Sequence, residues 1–253
     1  AVFAAHIAAS HGLDRALSFD MGGTTAKICL VKDHTPKTAR TFEVARTYRF
    51  KKGSGMPISI PVIDMVEIGA GGGSLAHVDS LDQIRVGPES AGSQPGPACY
   101  GRGGTAPTVT DSDLILGKLD PAGFAGGSIP LYTERATQAL DIHIGSKLDM
   151  EAVEAAWGVV EMVDENMANA ARVHAVENGE DLSEYTMIAF GGAAPLHAAR
   201  LCEKLGIRRC LIPQGAGVGS AIGFLRAPFS FEANNSVFMQ LSSFDPVRVK
   251  QLF

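Results

Sequence analysis

The stretch Ala16-Leu17-Ser18-Phe19-Asp20-Met21-Gly22-Gly23-Thr24-Thr25-Ala26-Lys27-Ile28-Cys29-Leu30-Val31 holds two apolar runs of strand length around a glycine pair. Short apolar runs bounded by a turn signal read as strands, so this segment predicts a β-hairpin. Asp20 ends the first strand, and Gly22 and Gly23 follow without side chains. Backbone N–H groups at such glycines approach a phosphate closely, and the Thr24 and Thr25 hydroxyls add donors. Asp20 is placed to hold the water shell of Mg²⁺. The same residues also suit a plain hairpin turn with a solvated aspartate at its end.

Working outward, residues 41–50 (Thr41-Phe42-Glu43-Val44-Ala45-Arg46-Thr47-Tyr48-Arg49-Phe50) are rich in β-branched and aromatic types and predict a third strand beside the hairpin. The alanine-rich start, Ala1 to Ser10, reads as a helix; with no cationic segment it is not read as a signal peptide. Thr133 is a candidate cap for a helix to Ile144, and Asp149 for a longer one ending at Gly179. In the longer helix Val153, Trp157, Val160, Val163, Met167, Ala171 and His174 recur at helical spacing and predict one buried stripe. Then Thr186-Met187-Ile188-Ala189-Phe190 reads as a buried strand, and Gly191-Gly192 as a turn. A helix follows with Pro195 in its first turn and Gly206 at its close. Arg208 to Ile212 repeats the strand pattern, Ala216 to Leu225 the helical one, and Val247 to Phe253 opens another helix. A glycine turn before a helix N-terminus favours an anion or a nucleotide edge.

Composition narrows the function classes. Lys and Arg number 22 against 27 acids, for a net charge of −5, and no basic block gives nucleic acid or an anionic membrane a surface to bind. No apolar run approaches the ~20 residues of a membrane span. Cys29, Cys99, Cys202 and Cys210 are scattered without a paired motif, which points away from a zinc site or a disulfide scaffold and toward reduced cytoplasmic thiols. Glycine is the abnormal quantity: residues 53–130 hold 16 of the 29 glycines and 8 of the 13 prolines, predicting a long, functional, mostly irregular segment. Neither the Gly-x-Gly-x-x-Gly fingerprint nor a P-loop is present, so those nucleotide folds drop out.

Asp64, Glu67 and Asp111 flank this region as carboxylates able to position a magnesium-bound water, a nucleophile or an amide proton. Thr110-Asp111-Ser112-Asp113 before Leu114-Ile115-Leu116 equally suits a helix cap. Arg102, in Gly101-Arg102-Gly103-Gly104, suits a phosphate or carboxylate as well as a plain surface position. Cys99 reads as a packed thiol, and His174 and His197 as packing or surface residues.

Asp20-Met21-Gly22-Gly23-Thr24-Thr25 and Ile188-Ala189-Phe190-Gly191-Gly192-Ala193 resemble the second phosphate hairpin and the adenosine motif of the actin, sugar kinase and heat-shock chaperone ATPase superfamily. More specifically, the chain resembles the hydantoinase A and 5-oxoprolinase family. The supporting strings are Pro61-Val62-Ile63-Asp64, Gly69-Ala70-Gly71-Gly72-Gly73-Ser74, Val86-Gly87-Pro88-Glu89-Ser90-Ala91-Gly92, Pro95-Gly96-Pro97-Ala98-Cys99-Tyr100-Gly101-Arg102-Gly103-Gly104-Thr105, Pro107-Thr108-Val109-Thr110-Asp111 and Phe190-Gly191-Gly192-Ala193-Ala194-Pro195-Leu196-His197-Ala198. Two departures stand out: Ala26 and Lys27 occupy a stretch where the family usually carries an Asp, and Ala194 replaces a usual Gly. Lys27 is a candidate phosphate contact instead.

The resemblance implies an α/β, ribonuclease-H-like (actin-like ATPase) mixed sheet flanked by helices. It implies the second half of a duplicated fold, the N-terminal ATPase half lying outside residues 1–253, with 53–130 as a glycine- and proline-rich insertion. It further implies ATP and Mg²⁺ as cofactors, Gly71, Gly72 and Gly73 near the terminal phosphate, and Gly191 and Gly192 against the adenosine. The expected activity is ATP-dependent hydrolysis of a cyclic amide, with a hydantoinase B-like subunit or domain as partner. The rivals are an ATP-dependent ketone carboxylase, a self-sufficient small-molecule kinase, and a non-catalytic assembly domain.

Overall fold

A computed structural model of the 253-residue chain describes residues 1–45, 47, 53–229, 231 and 237–251. The hairpin forms as expected, from β1 (Arg15–Met21) and β2 (Ala26–Lys32), with Asp20 opposite Lys27 and Met21 opposite Ala26. Strand β3 (Met65–Ile68) pairs antiparallel to β2, and Thr35–Pro36 continues that edge. On the other side, β4 (Thr186–Phe190) runs parallel to β1, and β5 (Arg209–Leu211) runs parallel to β4. The order β5-β4-β1-β2-β3, antiparallel only at β2, is the mixed ribonuclease-H-like sheet.

Both faces of the sheet are covered, so β1 and β4 are almost continuously buried rather than alternating. Leu17, Phe19 and Met21 of β1, with Met187 and Ala189 of β4, pack in the main core. Helix α4 (Ala152–Glu177) contributes Val159, Val163 and Met167 to it, and α5 (Ala194–Leu205) contributes Ala198 and Leu201. Ala16, Ile188 and Phe190 point the other way, onto Phe3, Ala4 and Ala8 of α1 (Val2–Ser10); the Phe3 and Phe190 rings meet edge to face at 5.3 Å. Between β3 and α4 lie a ribbon of Ser74–Val78 and Ile84–Ser90, α2 (Val109–Ile115) and α3 (Thr133–Leu140). After β5 comes α6 (Gly219–Leu225). Among the described residues no helix is long and apolar enough to cross a membrane.

Four expectations change. The third core strand is Met65–Ile68; Phe42–Val44 instead pairs with Met56–Ile58 in a separate two-stranded ribbon, and residues 46 and 48–50 of the expected strand lie outside the described residues. The segment 53–130 is therefore less irregular than its glycine content predicts, since it carries β3, the 74–90 ribbon and α2. The long helix is capped not by Asp149, whose backbone is left-handed (φ 55°), but by a reciprocal box between Glu151 and Glu154. Its stripe starts late, because Val153 and Trp157 are each 56% exposed, whereas Val160 and Met167 are buried.

Candidate functional site

In-register pairing builds the site. Asp20 lies opposite Phe190 across the parallel β1–β4 pair, so the turns after both strands leave the sheet side by side at its carboxyl edge. They are bonded to each other: Ala193 N donates to Met21 O at 3.0 Å. Gly191 is there for close approach. Its φ is +102°, and a Cβ at this position would stand 2.4 Å from Met21 O and 2.7 Å from Asp20 Oδ1.

Gly71, Gly72 and Gly73 reach the same edge from below. Gly72 N donates to Gly22 O (3.0 Å), Gly73 N to Gly23 O (2.7 Å) and Gly71 N to Ser74 Oγ (2.9 Å). Thr110, in the first turn of α2, donates through both N and Oγ1 to Gly72 O. All three glycines are buried with their N–H groups engaged. The loop expected near the terminal phosphate thus spends these N–H groups within the fold and shapes the hairpin from beneath. A Cβ on Gly71 would sit 2.6 Å from both Gly23 C and Thr24 N.

The outer layer is different. A Cβ on Gly22, Gly23 or Gly192 meets nothing within 4 Å. Among the described residues the N–H groups of Gly23, Thr24 and Gly192, all on exposed residues, have no hydrogen-bond partner, and the N-terminus of α5 has no side-chain cap. Open N–H groups around a helix start make a site for a polyanion. Asp20, partly exposed on the rim, accepts a hydrogen bond from Ser220 Oγ of α6, a contact the sequence did not signal. No cluster of three or more metal-ligating side chains occurs among the described residues. A lone rim carboxylate such as Asp20 would hold Mg²⁺ through the ion's own waters.

Internal and external glycines carry different expectations. Gly71→Ala pushes Cβ into backbone and is expected to cost about 1–3 kcal/mol, whereas Gly192→Ala fills open space and is expected to stay within about 0.5 kcal/mol. Urea denaturation of the two variants measures the difference.

The other expected residues fall elsewhere. Asp64 precedes β3, whose far end, Ile68, lies opposite Ala26; at ~3.3 Å per residue Asp64 is roughly 13 Å back from the hairpin end. The strand that leads to the site therefore carries Asp64 away from it. Asp111 is fully buried at the third position of α2, where its carboxylate accepts from the N–H groups of Ala98 (3.2 Å), Cys99 (2.7 Å) and Thr108 (2.9 Å) and from Thr108 Oγ1 (2.8 Å). It closes a capping box with Thr108 and pins the 95–104 loop; no oxygen is left for substrate. Arg102 is exposed, its guanidinium 5.8 Å over the Tyr100 ring, the surface alternative. Lys27 faces its cross-strand neighbour Glu67 at 3.7 Å rather than standing free for a phosphate.

Sequence reasoning missed a buried charge cluster behind the site. His197 of α5 has no exposed surface; its Nδ1 lies 2.8 Å from Asp164 of α4 and its Nε2 3.2 Å from Asp113 of α2. Lys118 Nζ stands 3.0 Å from the other Asp113 oxygen. Burial alone would depress the imidazole, but hydrogen bonds to Asp113 and Asp164 overcome it and push the pKa up to about 9. Both ring nitrogens therefore carry protons at neutral pH, and the two carboxylates are balanced by two cations. The partners lie 84 and 33 residues from His197, so no local spacing signals them.

A protein-family model described as Hydantoinase/oxoprolinase matches residues 1–233. The chain belongs to the hydantoinase/oxoprolinase family. Within and around it, an uncharacterized protein of Methanocaldococcus jannaschii is 38% identical over 243 residues, 95% of this chain and 35% of its own length. Caprolactamase subunit alpha of Pseudomonas jessenii is 36% identical over 235 residues, 93% of this chain and 32% of its own. The crystal structure of that ATP-dependent caprolactamase superposes with a TM-score of 0.75, covering 88% of this chain and 31% of the other. Nucleotide-free acetone carboxylase superposes at 0.77 with 26% identity, covering 88% and 30%. This hydantoinase/oxoprolinase chain thus spans about a third of the length of these two relatives.

Proposed function

We propose that this chain forms one face of the nucleotide site in an ATP-dependent enzyme that opens a cyclic amide, a lactam or a hydantoin. One observation carries the reading: two glycine turns at the ends of parallel strands, bonded to each other through Ala193 N and Met21 O, surround a patch of unpartnered N–H groups. An unstrained amide resists water because resonance stabilises it; ATP supplies a phosphoryl group whose transfer to the carbonyl oxygen makes the carbon electrophilic. The chain's own contribution is binding and charge balance. Gly22, Gly23, Thr24 and Thr25 offer donors to phosphate oxygens, Asp20 holds Mg²⁺ through its waters, and Gly191 and Gly192 keep the adenosine side clear of side chains. Gly71–Gly73, Thr110 and Asp111 fix the hairpin from below. The longer protein supplies the first half of the duplicated ATPase fold, and a hydantoinase B-like subunit or domain carries ring opening. The protein acts in the cytoplasm.

The superposition on acetone carboxylase favours a second reading, an ATP-dependent ketone carboxylase using the same loops. Initial rates of ATP hydrolysis by the full-length protein with its partner subunit separate the two. The amide reading expects stimulation of about tenfold or more by a lactam or hydantoin and ring-opened product, without bicarbonate. Turnover that requires bicarbonate and a ketone overturns it in favour of carboxylation.

A further inference from the structure

Helix α5 is fastened to the sheet edge by sulfur. Cys202 lies in its third turn, and its thiol Sγ points at Met187 Sδ in β4 at 3.6 Å. In the parallel β4–β5 pair Met187 stands directly beside Cys210, so the Cys210 side chain issues from the same face of the sheet. Two cysteines separated in sequence thus border the same methionine under one helix, contrary to the scattered thiols that sequence spacing implied. The influence of each thiol on the other raises the proton affinity of Cys202 and lowers that of Cys210. Cys210 is exposed on the outermost strand and flanked by Arg208 and Arg209, while Cys202 is buried just behind it. One accessible thiol on the outermost strand, with a second thiol buried behind it, is the arrangement of an attacking and a resolving cysteine.

We propose that Cys202 and Cys210 form a redox-active pair that closes to a disulfide by exchange with a small disulfide oxidant of the oxidised-glutathione type. The Cys210 thiolate attacks one sulfur of the oxidant, breaking its S–S bond, forming a mixed disulfide and releasing one thiolate. The Cys202 thiol then loses its proton to water and attacks the Cys210 sulfur, expelling the second oxidant thiolate. Two protein thiols are oxidised and one oxidant disulfide is reduced to two thiols. The product staples α5, whose N-terminus carries the open N–H groups, to the sheet edge at β5. The other two cysteines stay out: burial pushes Cys29 up to about 11 and Cys99 further still.

The test is peptide mapping of the full-length protein after incubation with oxidised glutathione, quenching with an alkylating agent and digestion without reductant. The expected product is a linked pair of peptides containing Cys202 and Cys210, with Cys29 and Cys99 recovered alkylated after unfolding. In Cys202→Ser the exchange stops at its first step, and a glutathione adduct accumulates on Cys210. A wild-type protein that keeps the adduct on Cys210 with Cys202 still a free thiol, or that leaves both thiols reduced, overturns the proposal. The wild-type map decides even if the variant fails to fold.

Discussion

Asp20→Ala is expected to lower Mg²⁺-dependent ATP turnover of the full-length enzyme by about 10²-fold or more, the scale on which a single preorganised electrostatic contact acts, while leaving the fold nearly as stable. Inside the protein the Asp20 carboxylate has a small task, accepting one hydrogen bond from Ser220 at a partly exposed rim. Losing such a bond costs about 1 kcal/mol. Its larger role faces outward. The carboxylate lies at the mouth of the Gly191 turn, where a Cβ on Gly191 would stand 2.7 Å from Oδ1, and no cluster of three or more ligating side chains occurs among the described residues to replace it. Asp20→Asn sharpens the test, because the amide oxygen still accepts from Ser220 but the charge is gone. Asn is therefore expected to restore the denaturation midpoint without restoring turnover, and to raise the Mg²⁺ concentration needed for half-maximal rate. If turnover instead stays within a factor of three of wild type, the metal is held elsewhere and Asp20 is only a strand-end contact. Thr24→Val removes one donor among several and is expected to do less.

What the sequence discloses of this fold divides along one physical line. Elements that hold themselves together locally were legible: the 16–31 hairpin, the 186–190 strand, and α5 with Pro195 at its start and left-handed Gly206 at its end. Their glycine turns meet at one sheet edge because β1 and β4 pair in parallel register, which composition alone does not give. Pairing choices were illegible. Met65–Ile68 is four residues long, with only Ile68 fully buried, and it sits between proline and glycine stretches, so it carries less strand signal than residues 41–50. The core nevertheless takes the shorter segment, because its edge of β2 needs backbone partners more than it needs hydrophobic area.

The same line runs through the site. Glycine content marked where the backbone comes close, but not what it comes close to. Gly71 and Gly191 are dictated by neighbouring backbone, whereas Gly22, Gly23 and Gly192 face open space. Only coordinates separate a glycine that the fold requires from one a ligand requires. Aspartates divide likewise: Asp20 and Asp111 each sit near a threonine in a short polar string, yet one is on a rim and the other is sealed beneath four donors. The Val153 and Trp157 misreading has a similar source. The first turns of α4 press the 74–90 ribbon with Gly158, where a Cβ would stand 2.6 Å from Ile84, and this leaves the periodic apolar residues beside it in solvent.

The largest effect on stability is expected at His197. Removing the ring in His197→Ala leaves Asp113 and Asp164 buried without the cation between them, a change that costs about 3–5 kcal/mol. Asp164 Oδ2 already lacks a partner among the described residues, so the remaining oxygen has nowhere to turn. The wild-type cluster also fixes a pH dependence. His197 binds its proton more tightly in the folded chain, at about 9, than the ordinary 6.5 of an unfolded histidine. Its contribution is therefore complete below pH 6.5, falls as pH rises from 6.5 to about 9, and is gone above that, a loss of roughly 3 kcal/mol. Denaturation midpoints across this range are expected to decline for the wild type and to stay flatter for His197→Gln, which has no proton to lose. A wild-type curve as flat as that of the glutamine variant would mean that the ring is neutral in the fold. The cluster bears on the site because it ties together the helices behind it: α2 carries in its first turn Thr110, which grips Gly72, and α5 begins beside Gly192. His197→Ala at a temperature where it remains folded is accordingly expected to bind ATP more weakly than wild type, and adding Asp164→Asn to relieve the stranded charge is expected to recover part of the stability. A double variant no more stable than His197→Ala would place the cost in the lost packing of the ring rather than in the buried carboxylates.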